Sequence, residues 1–469
     1  MIVWRKSAVL VGALVLAALV QSPALYATLY DDDYQQLGYL TGHSHPHLHA
    51  RHWLDLYNFG DVAFWRPIAS ALMTLDWSLF RGHLWAYHLH SLCWYLALVI
   101  AVAALLWRSL PSVAAPALLV FALGRAAGTS VLWWCNRHLL VAALLVVLAL
   151  IAHVRGRRWL ALGAMAVALL ASESALAGVA LLLAYELVHA RVRTTAPIAA
   201  LAIVYLVLHG ALGYGVHNGM WDYYDPMREP VRFAGAAVAR LPDLGAVLLG
   251  GGLTGAPARL VALVLVGAAI AFALRPGWSG LAEAEARTLR WLLVGAFLAL
   301  PISLASPQPN VRLLPSLAAA ALIATLARLL AGPIALALVA IHAIAAPLVV
   351  RAEVARESMW QRTAHYAVVG APVGPADRDL LVLSGWSYLW QGQMALDIFR
   401  PDTRIASWRQ FDLPDRTLLA TRTAPETLEL TDGDKTTRVT LRASDTVLIL
   451  REGRLLRVEA PDVGTSRRW

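Results

Sequence analysis

Residues 88–107 read HLHSLCWYLALVIAVAALLW and carry no carboxylate, lysine or arginine. A run of about 20 mostly apolar residues is long enough to cross the hydrocarbon core of a bilayer as a helix. The whole chain agrees with this run, since 59% of its 469 residues are hydrophobic, 15% are charged and the mean hydropathy is +0.59. Soluble domains are about 45–50% apolar and about 25% charged. The composition therefore excludes a soluble globular protein and predicts a polytopic membrane protein.

Ten further apolar runs predict an all-α polytopic membrane domain with about 11 transmembrane helices over residues 1–351. Ser172-Glu173 interrupts one pair of runs, which are either two short spans or one broken hairpin. The amphipathic stretch 230–252 is expected on the membrane surface. The eleven predicted spans are 7–30, 88–107, 111–130, 139–154, 159–171, 174–190, 195–213, 257–275, 289–306, 312–330 and 333–350.

Basic residues between the spans predict the orientation, because short cytoplasmic loops are enriched in lysine and arginine. The N-terminus and alternate connections are then cytoplasmic, and the outer loop 31–87 and the C-terminal region are extracytoplasmic. A cleavable signal peptide over the first span is the alternative. The basic residues in question are Arg5, Lys6, Arg108, Arg155, Arg157, Arg158, Arg191, Arg193, Arg275, Arg287, Arg290 and Arg328.

Residues 352–469 predict a small soluble extracytoplasmic domain that is β-rich or α+β. Its apolar runs are of strand length, and turn signals separate them at Asp432-Gly433-Asp434 and Glu452-Gly453. The predicted strands are 379–383, 417–420, 427–431, 437–441, 447–451 and 455–458.

Three other sequence features exclude or leave open particular functions. The net charge of +9 is scattered between apolar runs, which excludes nucleic acid as a partner. Cys93 and Cys135 offer neither a disulfide framework nor metal-ligand spacing. One outer stretch is rich in histidine, and we interpret it as a mobile polar loop rather than a Zn²⁺ or Cu²⁺ site. Its histidines are His43, His45, His47, His49 and His52.

The acidic stretch Tyr30-Asp31-Asp32-Asp33-Tyr34 follows the first predicted span. Adjacent carboxylates repel one another, and at a membrane surface they serve as a general base or as oxygen ligands of a divalent cation. The alternative is a solvated polar cap on the helix. We therefore expect Asp31, Asp32 and Asp33 to be catalytic, and Asp32 and Asp33 to hold Mg²⁺ or Mn²⁺ if a cation is required.

Cationic and acidic side chains recur on the same predicted outer side. Guanidinium groups match phosphate geometry well, although an arginine at the interface also simply snorkels. Acids and phosphate-binding cations on one membrane face predict a lipid-phosphate substrate. The expected substrate-binding residues are Arg66, His88, Arg137, Glu173 and Arg312.

Several short motifs follow one another over roughly residues 7–190. They are Tyr30-Asp31-Asp32-Asp33-Tyr34, Phe64-Trp65-Arg66-Pro67-Ile68, Leu75-Asp76, Tyr87-His88-Leu89, Asn136-Arg137-His138-Leu139-Leu140 and Ala171-Ser172-Glu173. Taken together, these motifs resemble those of the integral-membrane glycosyltransferases of the GT-C superfamily. The similarity is to bacterial relatives of the transmembrane and tetratricopeptide-repeat O-mannosyltransferases.

The resemblance implies transfer of a sugar from a polyprenyl-phosphate donor to a protein, lipid or glycan acceptor on the extracytoplasmic face, in a bacterial inner membrane. It implies that Asp32 or Asp33 is the base, ahead of Asp31. Arg137 and Arg312, with Arg66, would neutralise the donor phosphate, and Glu173 would be a site carboxylate. The family's lysine before that glutamate is missing, and no tetratricopeptide repeats follow the spans, so the resemblance does not indicate the acceptor.

Two other functions stay open at this point. A polyprenyl-lipid transporter predicts mid-span charges and inverted repeats, neither of which is evident in the sequence. A non-catalytic membrane assembly or scaffold protein predicts that loss of Asp32 and Asp33 is harmless, whereas loss of 352–469 is not.

Overall fold

A computed structural model divides the chain into two compact units. One unit comprises Met1–Leu25 with His49–Arg356, and the other comprises Tyr26–Leu48 with Glu357–Trp469. The structure describes residues 2–30, 32–42, 48–60, 62–191, 194–216, 222–274, 280–306, 312–330, 332–377, 379–384, 392–400, 402–403, 405–412, 419–432, 435–451 and 454–468.

The first unit is helical, and all α-helices of the described chain lie in it except α2, α18 and the last part of α17. Proline occupies the first position of several helices, where its missing N–H costs no hydrogen bond. The helices are α1 (Ile2–Gln21), α2 (Asp32–Leu40), α3 (Pro67–Phe80), α4 (Leu84–Ser109), α5 (Ala114–Leu123), α6 (Gly128–Leu132), α7 (Arg137–Val154), α8 (Arg158–Ala171), α9 (Leu176–Val188), α10 (Thr195–Ala211), α11 (Pro230–Leu249), α12 (Gly255–Leu274), α13 (Glu283–Leu298), α14 (Leu300–Ala305), α15 (Pro315–Leu329), α16 (Pro333–Val339), α17 (Ala346–Val369) and α18 (Gly392–Phe399).

Each predicted span falls on helix, but six helical segments of the described chain are long and apolar enough to cross a membrane. These are Lys6–Tyr26, Leu84–Ser109, Trp134–Val154, Gly255–Leu274, Glu283–Ala305 and Pro333–Val369. Four other predicted spans correspond to the shorter apolar helices α5, α8, α10 and α15, and the run 174–190 corresponds to α9. The count of eleven therefore stays a prediction.

Several apolar helices carry hydrophobic side chains that are exposed in the structure. Val207 is 62% exposed, Leu263 is 69% exposed and Leu336 is 70% exposed. Helices that are apolar all round, with such side chains unburied, are suited to lipid contact. The chain is an integral membrane protein.

Glycines allow the central helices to approach closely. A Cβ on Gly178 of α9 would lie 2.5 Å from Val146 Cγ1 of α7, and one on Gly295 of α13 would lie 2.6 Å from Leu181 Cδ2 of α9. Small residues at helix crossings are typical of membrane bundles, because close backbone approach increases van der Waals contact. These crossings pack α9 closely against both α7 and α13.

The second unit contains two four-stranded sheets. One is antiparallel with the order β10-β5-β6-β7, and the other is mixed with the order β4-β3-β8-β9, in which β3 pairs in parallel with β4 and β8. The strands, with a two-stranded β1–β2 pair in the first unit, are β1 (Val62–Ala63), β2 (Gly215–Val216), β3 (Asp379–Ser384), β4 (Ser407–Asp412), β5 (Leu419–Ala424), β6 (Thr427–Asp432), β7 (Lys435–Thr440), β8 (Asp445–Arg451), β9 (Arg454–Val458) and β10 (Ser466–Arg468).

The prediction of a β-rich C-terminal region is confirmed. The two turn signals separate adjacent antiparallel strands, with Asp432 opposite Lys435 and Arg451 opposite Arg454. The segment α18 connects β3 to β4 as a parallel crossover, which the sequence did not indicate.

Candidate functional site

Asp55 is a buried carboxylate that anchors the segment 48–60, which precedes α3. Its Oδ2 accepts from Arg51 Nε over 2.9 Å, and its Oδ1 accepts from the Tyr214 hydroxyl over 2.7 Å. Burial acts to raise the pKa of Asp55, but hydrogen bonds from Arg51, Tyr214 and Asn58 outweigh it and hold that pKa below its usual value. These bonds and the β1–β2 pairing fix the backbone that leads to Arg66.

Arg66 immediately precedes α3, and its guanidinium grips the carboxylate of Glu173. Arg66 Nε donates to Glu173 Oε2 over 2.8 Å, and Arg66 Nη2 donates to Oε1. Arg66 is 7% exposed, and the centroids of the Phe64 and Tyr57 rings lie 4.0 and 4.8 Å from its Cζ. Two-point pairing of this kind fixes the orientation of both groups. The Glu173 side chain is 27% exposed, so the protein covers it less completely than it covers Arg66.

His138, in the first turn of α7, completes this group. Its Nε2 lies 2.9 Å from Arg66 Nη1, and its Nδ1 lies 3.0 Å from Ser172 Oγ. Because a guanidinium only donates, Nε2 must accept, which assigns the ring proton to Nδ1. His138 is therefore neutral in this arrangement, and a second proton would face the cation of Arg66.

Arg66 and Glu173 stabilise each other's ionised forms. Burial acts to raise the pKa of Glu173, but the charge and hydrogen bonds of Arg66 outweigh it and hold that pKa below its usual value. Burial acts to lower the pKa of Arg66, and Glu173 outweighs that effect and raises it. A depressed carboxylate pKa adds stability that is lost only as the pH falls through the folded value. The ion pair is thus intact at neutral pH.

Arg137 belongs to a second buried group, centred on Asp76 of α3. Arg137 Nη1 forms an ion pair with Asp76 Oδ2, and the two side chains are 3% and 0% exposed. Trp134 Nε1 also donates to Asp76 over 2.8 Å, and His90 Nδ1 lies 2.6 Å from its other oxygen. Arg137 Nε donates to Ser91 Oγ over 2.9 Å, and its Nη2 reaches a backbone carbonyl of α4. Each guanidinium nitrogen of Arg137 is therefore engaged by the protein.

His88 and His90 lie on different sides of α4. His88 is fully buried, and its Nδ1 lies 3.5 Å from the carbonyl oxygen of Val131. His90, two residues later, contacts Asp76 instead. His88, which the sequence analysis predicted to bind substrate, is thus packed inside the bundle beside α6.

Arg312 has a different environment from Arg66 and Arg137. It is 5% exposed, and its Nε is buried without a hydrogen-bond partner among the described residues. Asp243 and Arg240 are the charged groups that act on it, and Asp243 is already paired with Arg259 over 3.0 Å. A buried guanidinium without its own carboxylate is costly, so this position is suited to an anionic ligand.

Arg240 of α11 organises the chain around Arg312. Its Nη1 donates to the carbonyl oxygen of Leu304 over 2.7 Å, and its Nη2 donates to the carbonyl oxygen of Asp222. The Tyr224 ring lies 5.4 Å from its Cζ. Arg240 therefore ties α11 to the end of α14, shortly before the chain reaches Arg312.

Asp32 and Asp33 open α2 in the second unit. Asp33 is fully buried, and its Oδ2 accepts the backbone N–H of Tyr30 over 3.0 Å. Asp32 is partly exposed. Tyr34 follows Asp32 by two residues in α2, and its hydroxyl lies 2.7 Å from His365 Nδ1. The fold thus gives the two carboxylates different environments, with Asp32 the more accessible.

Some predicted residues lie outside the described chain. Asp31 is among them, as are His43, His45 and His47. Among the residues that the structure does describe, no group of three or more His, Cys, Asp or Glu side chains could hold a metal ion. A divalent cation at Asp32 and Asp33 therefore stays a prediction.

Sequence reasoning missed the partners of the predicted arginines. Asp76 and His138 stood inside quoted motifs, but nothing in their spacing indicated which arginine each would contact. Asp55, Arg240 and Tyr214 carried no signal at all. Their roles depend on contacts between segments far apart in the chain, such as Tyr214 with Asp55.

No protein-family model and no curated protein matches the chain. Among solved structures, the crystal structure of ArnT from Cupriavidus metallidurans in the apo state is similar at 14% sequence identity, covering 84% of this chain and 88% of that chain. The TM-score is 0.36, which is too low to establish a common fold. The function is therefore argued below from the residues.

Proposed function

We propose that this protein is a membrane glycosyltransferase of the GT-C type. It would move a sugar from a polyprenyl-phosphate donor to a protein, lipid or glycan acceptor on the extracytoplasmic face of a bacterial inner membrane. The observation that carries the proposal is the buried guanidinium of Arg312, whose Nε has no hydrogen-bond partner among the described residues. A phosphate supplies the negative charge and acceptor oxygens that such a group needs.

A lipid-phosphate donor needs no nucleotide site in the protein. A sugar linked to a lipid phosphate is already activated, and the leaving phosphate gains negative charge as the anomeric bond breaks. Arg312 would stabilise that charge. Arg240 lies close enough to Arg312 to act on it electrostatically. Arg137 is a weaker candidate for this role, because Asp76 already neutralises it.

Asp32 is our candidate for the base. It would take the proton from the acceptor hydroxyl as the oxygen attacks the anomeric carbon. Asp33 would act as a positioning residue, because its buried carboxylate accepts the Tyr30 N–H and fixes the start of α2. A single displacement inverts the anomeric configuration. A divalent cation at Asp32 and Asp33 remains a proposal to be tested with EDTA and Mn²⁺, and no step here depends on it.

Binding of unsubstituted polyprenyl phosphate to the purified protein in nanodiscs tests the phosphate site. We expect Arg312→Gln to weaken binding about tenfold or more, since hydrogen bonds to charged groups contribute about 1.5–3 kcal/mol. The matched control is Arg287→Gln, because Arg287 pairs with Glu283 at an exposed site. Equal affinity of Arg312→Gln and wild type would refute the phosphate role.

Transfer activity tests the base. Membranes with matched levels of wild type and of the Asp32→Asn, Asp33→Asn variant would receive a panel of radiolabelled polyprenyl-phosphate sugars. We expect label to reach an acceptor only with wild type. Equal transfer by wild type and variant would mean that the two carboxylates are only a polar cap on the helix. A product of retained anomeric configuration would refute single displacement.

A further inference from the structure

The open carboxylate of Glu173 has unused acceptor capacity. A carboxylate offers about four lone-pair sites on two oxygens. Arg66 occupies one position on each oxygen, through Nε and Nη2. A backbone N–H of Glu173 also bonds to the carboxylate. At least one acceptor position stays unfilled, and the side chain is 27% exposed.

Two polar groups of α10 beside Glu173 also lack partners. The Tyr205 hydroxyl and His209 Nε2 are buried without a hydrogen-bond partner among the described residues. Tyr205 is only 5% exposed, and the Glu173 carboxylate acts electrostatically on both groups. A buried polar group without a partner is unfavourable, so these groups indicate a polar ligand at this place.

Aromatic rings flank the same groups. The Trp65 ring stacks against Tyr205 and Tyr214, with centroids 6.4 Å apart in both cases. The Phe64 ring lies against Tyr223 at 5.6 Å. Binding sites for small ligands combine rings of this kind with a few placed polar groups, and the faces of the rings suit the C–H face of a cyclic ligand.

The charges around Glu173 are balanced. Arg66 neutralises the carboxylate, and His138 is neutral because its Nε2 accepts from Arg66. A cationic ligand would find no net charge to bind, and an anionic ligand would meet the open carboxylate. A neutral ligand with several hydroxyl groups satisfies the carboxylate, the tyrosine and the histidine together.

We propose that Glu173, Tyr205 and His209 form a recognition site for a neutral, hydroxylated sugar ring, with Trp65 beside it. Glu173 accepts a hydrogen bond from a sugar hydroxyl, and Tyr205 and His209 complete the set. Arg66 and His138 are positioning residues, because they hold the carboxylate. This inference rests on the proposed function, since it supplies the sugar specificity that a lipid-phosphate donor needs.

Binding to purified protein in nanodiscs tests the inference. The probes are unsubstituted polyprenyl phosphate, its mannosyl, glucosyl and galactosyl esters, and the methyl glycosides of the same sugars. We expect at least one sugar ester to bind wild type about tenfold or more tightly than the unsubstituted phosphate does. Wild type could instead prefer a methyl glycoside over the sugar esters and lose that preference in the variants below. That result would mean that the site binds the sugar of the acceptor and not the sugar of the donor.

Tyr205→Phe is the decisive variant, because it removes one hydroxyl and keeps the ring. We expect it to abolish most of the preference for the sugar ester and to leave affinity for unsubstituted polyprenyl phosphate unchanged. Tyr366→Phe is the control, since Tyr366 is 57% exposed and lies in the second unit. Glu173→Gln should act like Tyr205→Phe, with folding checked by its elution profile.

The outcomes separate the two proposals. If Tyr205→Phe keeps the full sugar preference, or if wild type has none for any ester or glycoside, the sugar site is refuted while the phosphate site of Arg312 stands. If wild type binds neither the phosphate nor its esters, the proposed function fails and the sugar site fails with it.

Discussion

At the scale of single residues, the three buried arginines Arg66, Arg137 and Arg312 differ in whether they have a counter-ion. Arg66 and Arg137 each hold a carboxylate, whereas Arg312 is buried beside Arg240 and an already paired Asp243. A guanidinium that already has its counter-ion has a structural or positioning role. One without a counter-ion is the better candidate for an anionic substrate.

The Asp76 group gives a stability prediction. Replacing Asp76 with alanine leaves the buried Arg137 without its counter-ion, so we expect the free energy of unfolding to fall by about 3–5 kcal/mol. The measurement is thermal unfolding in detergent, followed by tryptophan fluorescence. Glu459→Ala is the comparison, because Glu459 and its partner Arg467 are 88% and 55% exposed, and it should leave the unfolding midpoint nearly unchanged. Similar midpoints for Asp76→Ala and wild type would contradict the structural role.

Sequence reasoning at this scale selected residues better than it assigned their contacts. Glu173 and Arg66 were both predicted, and the structure brings them together. The choice of His88 over His90 followed a motif, yet His90 is the one that meets Asp76. Positions two apart on a helix face different sides, and a motif does not show which side meets the partner. Only the packing of α3 against α4 settles that.

At the scale of elements, the segment 48–60 depends on Asp55 for its attachment. Because the pKa of Asp55 is held below its usual value, its contribution is present above about pH 3.9 and is lost as the pH falls through the lower folded value. We expect this segment to be protected from hydrogen exchange at pH 5, and to exchange about tenfold faster relative to intrinsic rates once the carboxylate is protonated.

Asp55→Asn provides the control for that experiment. It removes the titrating group, so exchange of the segment should be faster at pH 5 and should change little with further acidification. Equal protection of the variant and wild type at pH 5 would mean that the β1–β2 pairing alone fastens the segment.

The turn between α11 and α12 packs tightly against a π-helical turn, Ala340–Ala345, between α16 and α17. A Cβ on Gly252 would lie 2.5 Å from the carbonyl carbon of Ala345, and the Gly252 N–H donates to the Ile341 carbonyl oxygen over 3.1 Å. Backbone atoms cannot move aside as a flexible side chain does. Glycine at this position therefore permits the contact.

Gly252→Ala should lower the unfolding midpoint in detergent by several degrees, because it forces the two backbones apart. Gly267→Ala is the matched control, since a Cβ there meets nothing within 4 Å, and alanine in a helix is favoured over glycine by about 1 kcal/mol. The control should be neutral or stabilising. A Gly252→Ala protein as stable as Gly267→Ala would show that the contact is loose.

At the scale of the whole molecule, the basic residues predict the topology. Single cysteines at Arg157 and at Arg467, in a protein without Cys93 and Cys135, would be probed with a membrane-impermeant maleimide on intact spheroplasts. We expect labelling at position 467 only, with labelling at 157 after lysis. Labelling of 157 in intact spheroplasts would reverse the orientation and place Asp32 on the wrong side for a lipid-linked donor.

Hydropathy predicted the existence of the membrane helices because each needs only its own apolar run. It also placed the break between 159–171 and 174–190 at Ser172-Glu173, and α8 ends at Ala171. It did not indicate the hydrogen bonds that Glu173 and Ser172 make with Arg66 and His138, because those residues lie far away in the chain. Nor did it indicate that residues 26–48 belong with 357–469. That union depends on contacts such as Tyr34 with His365, which join distant parts of the chain.

The grouping of residues 26–48 with 357–469 also determines when, during synthesis, the second unit can fold. Residues 26–48 leave the ribosome early, whereas their folding partners 357–469 come after every helix of the first unit. The start of α2, with Asp32 and Asp33, therefore waits for the end of translation before its final packing forms. A ribosome that stops early would leave residues 26–48 without the part of the second unit with which they fold.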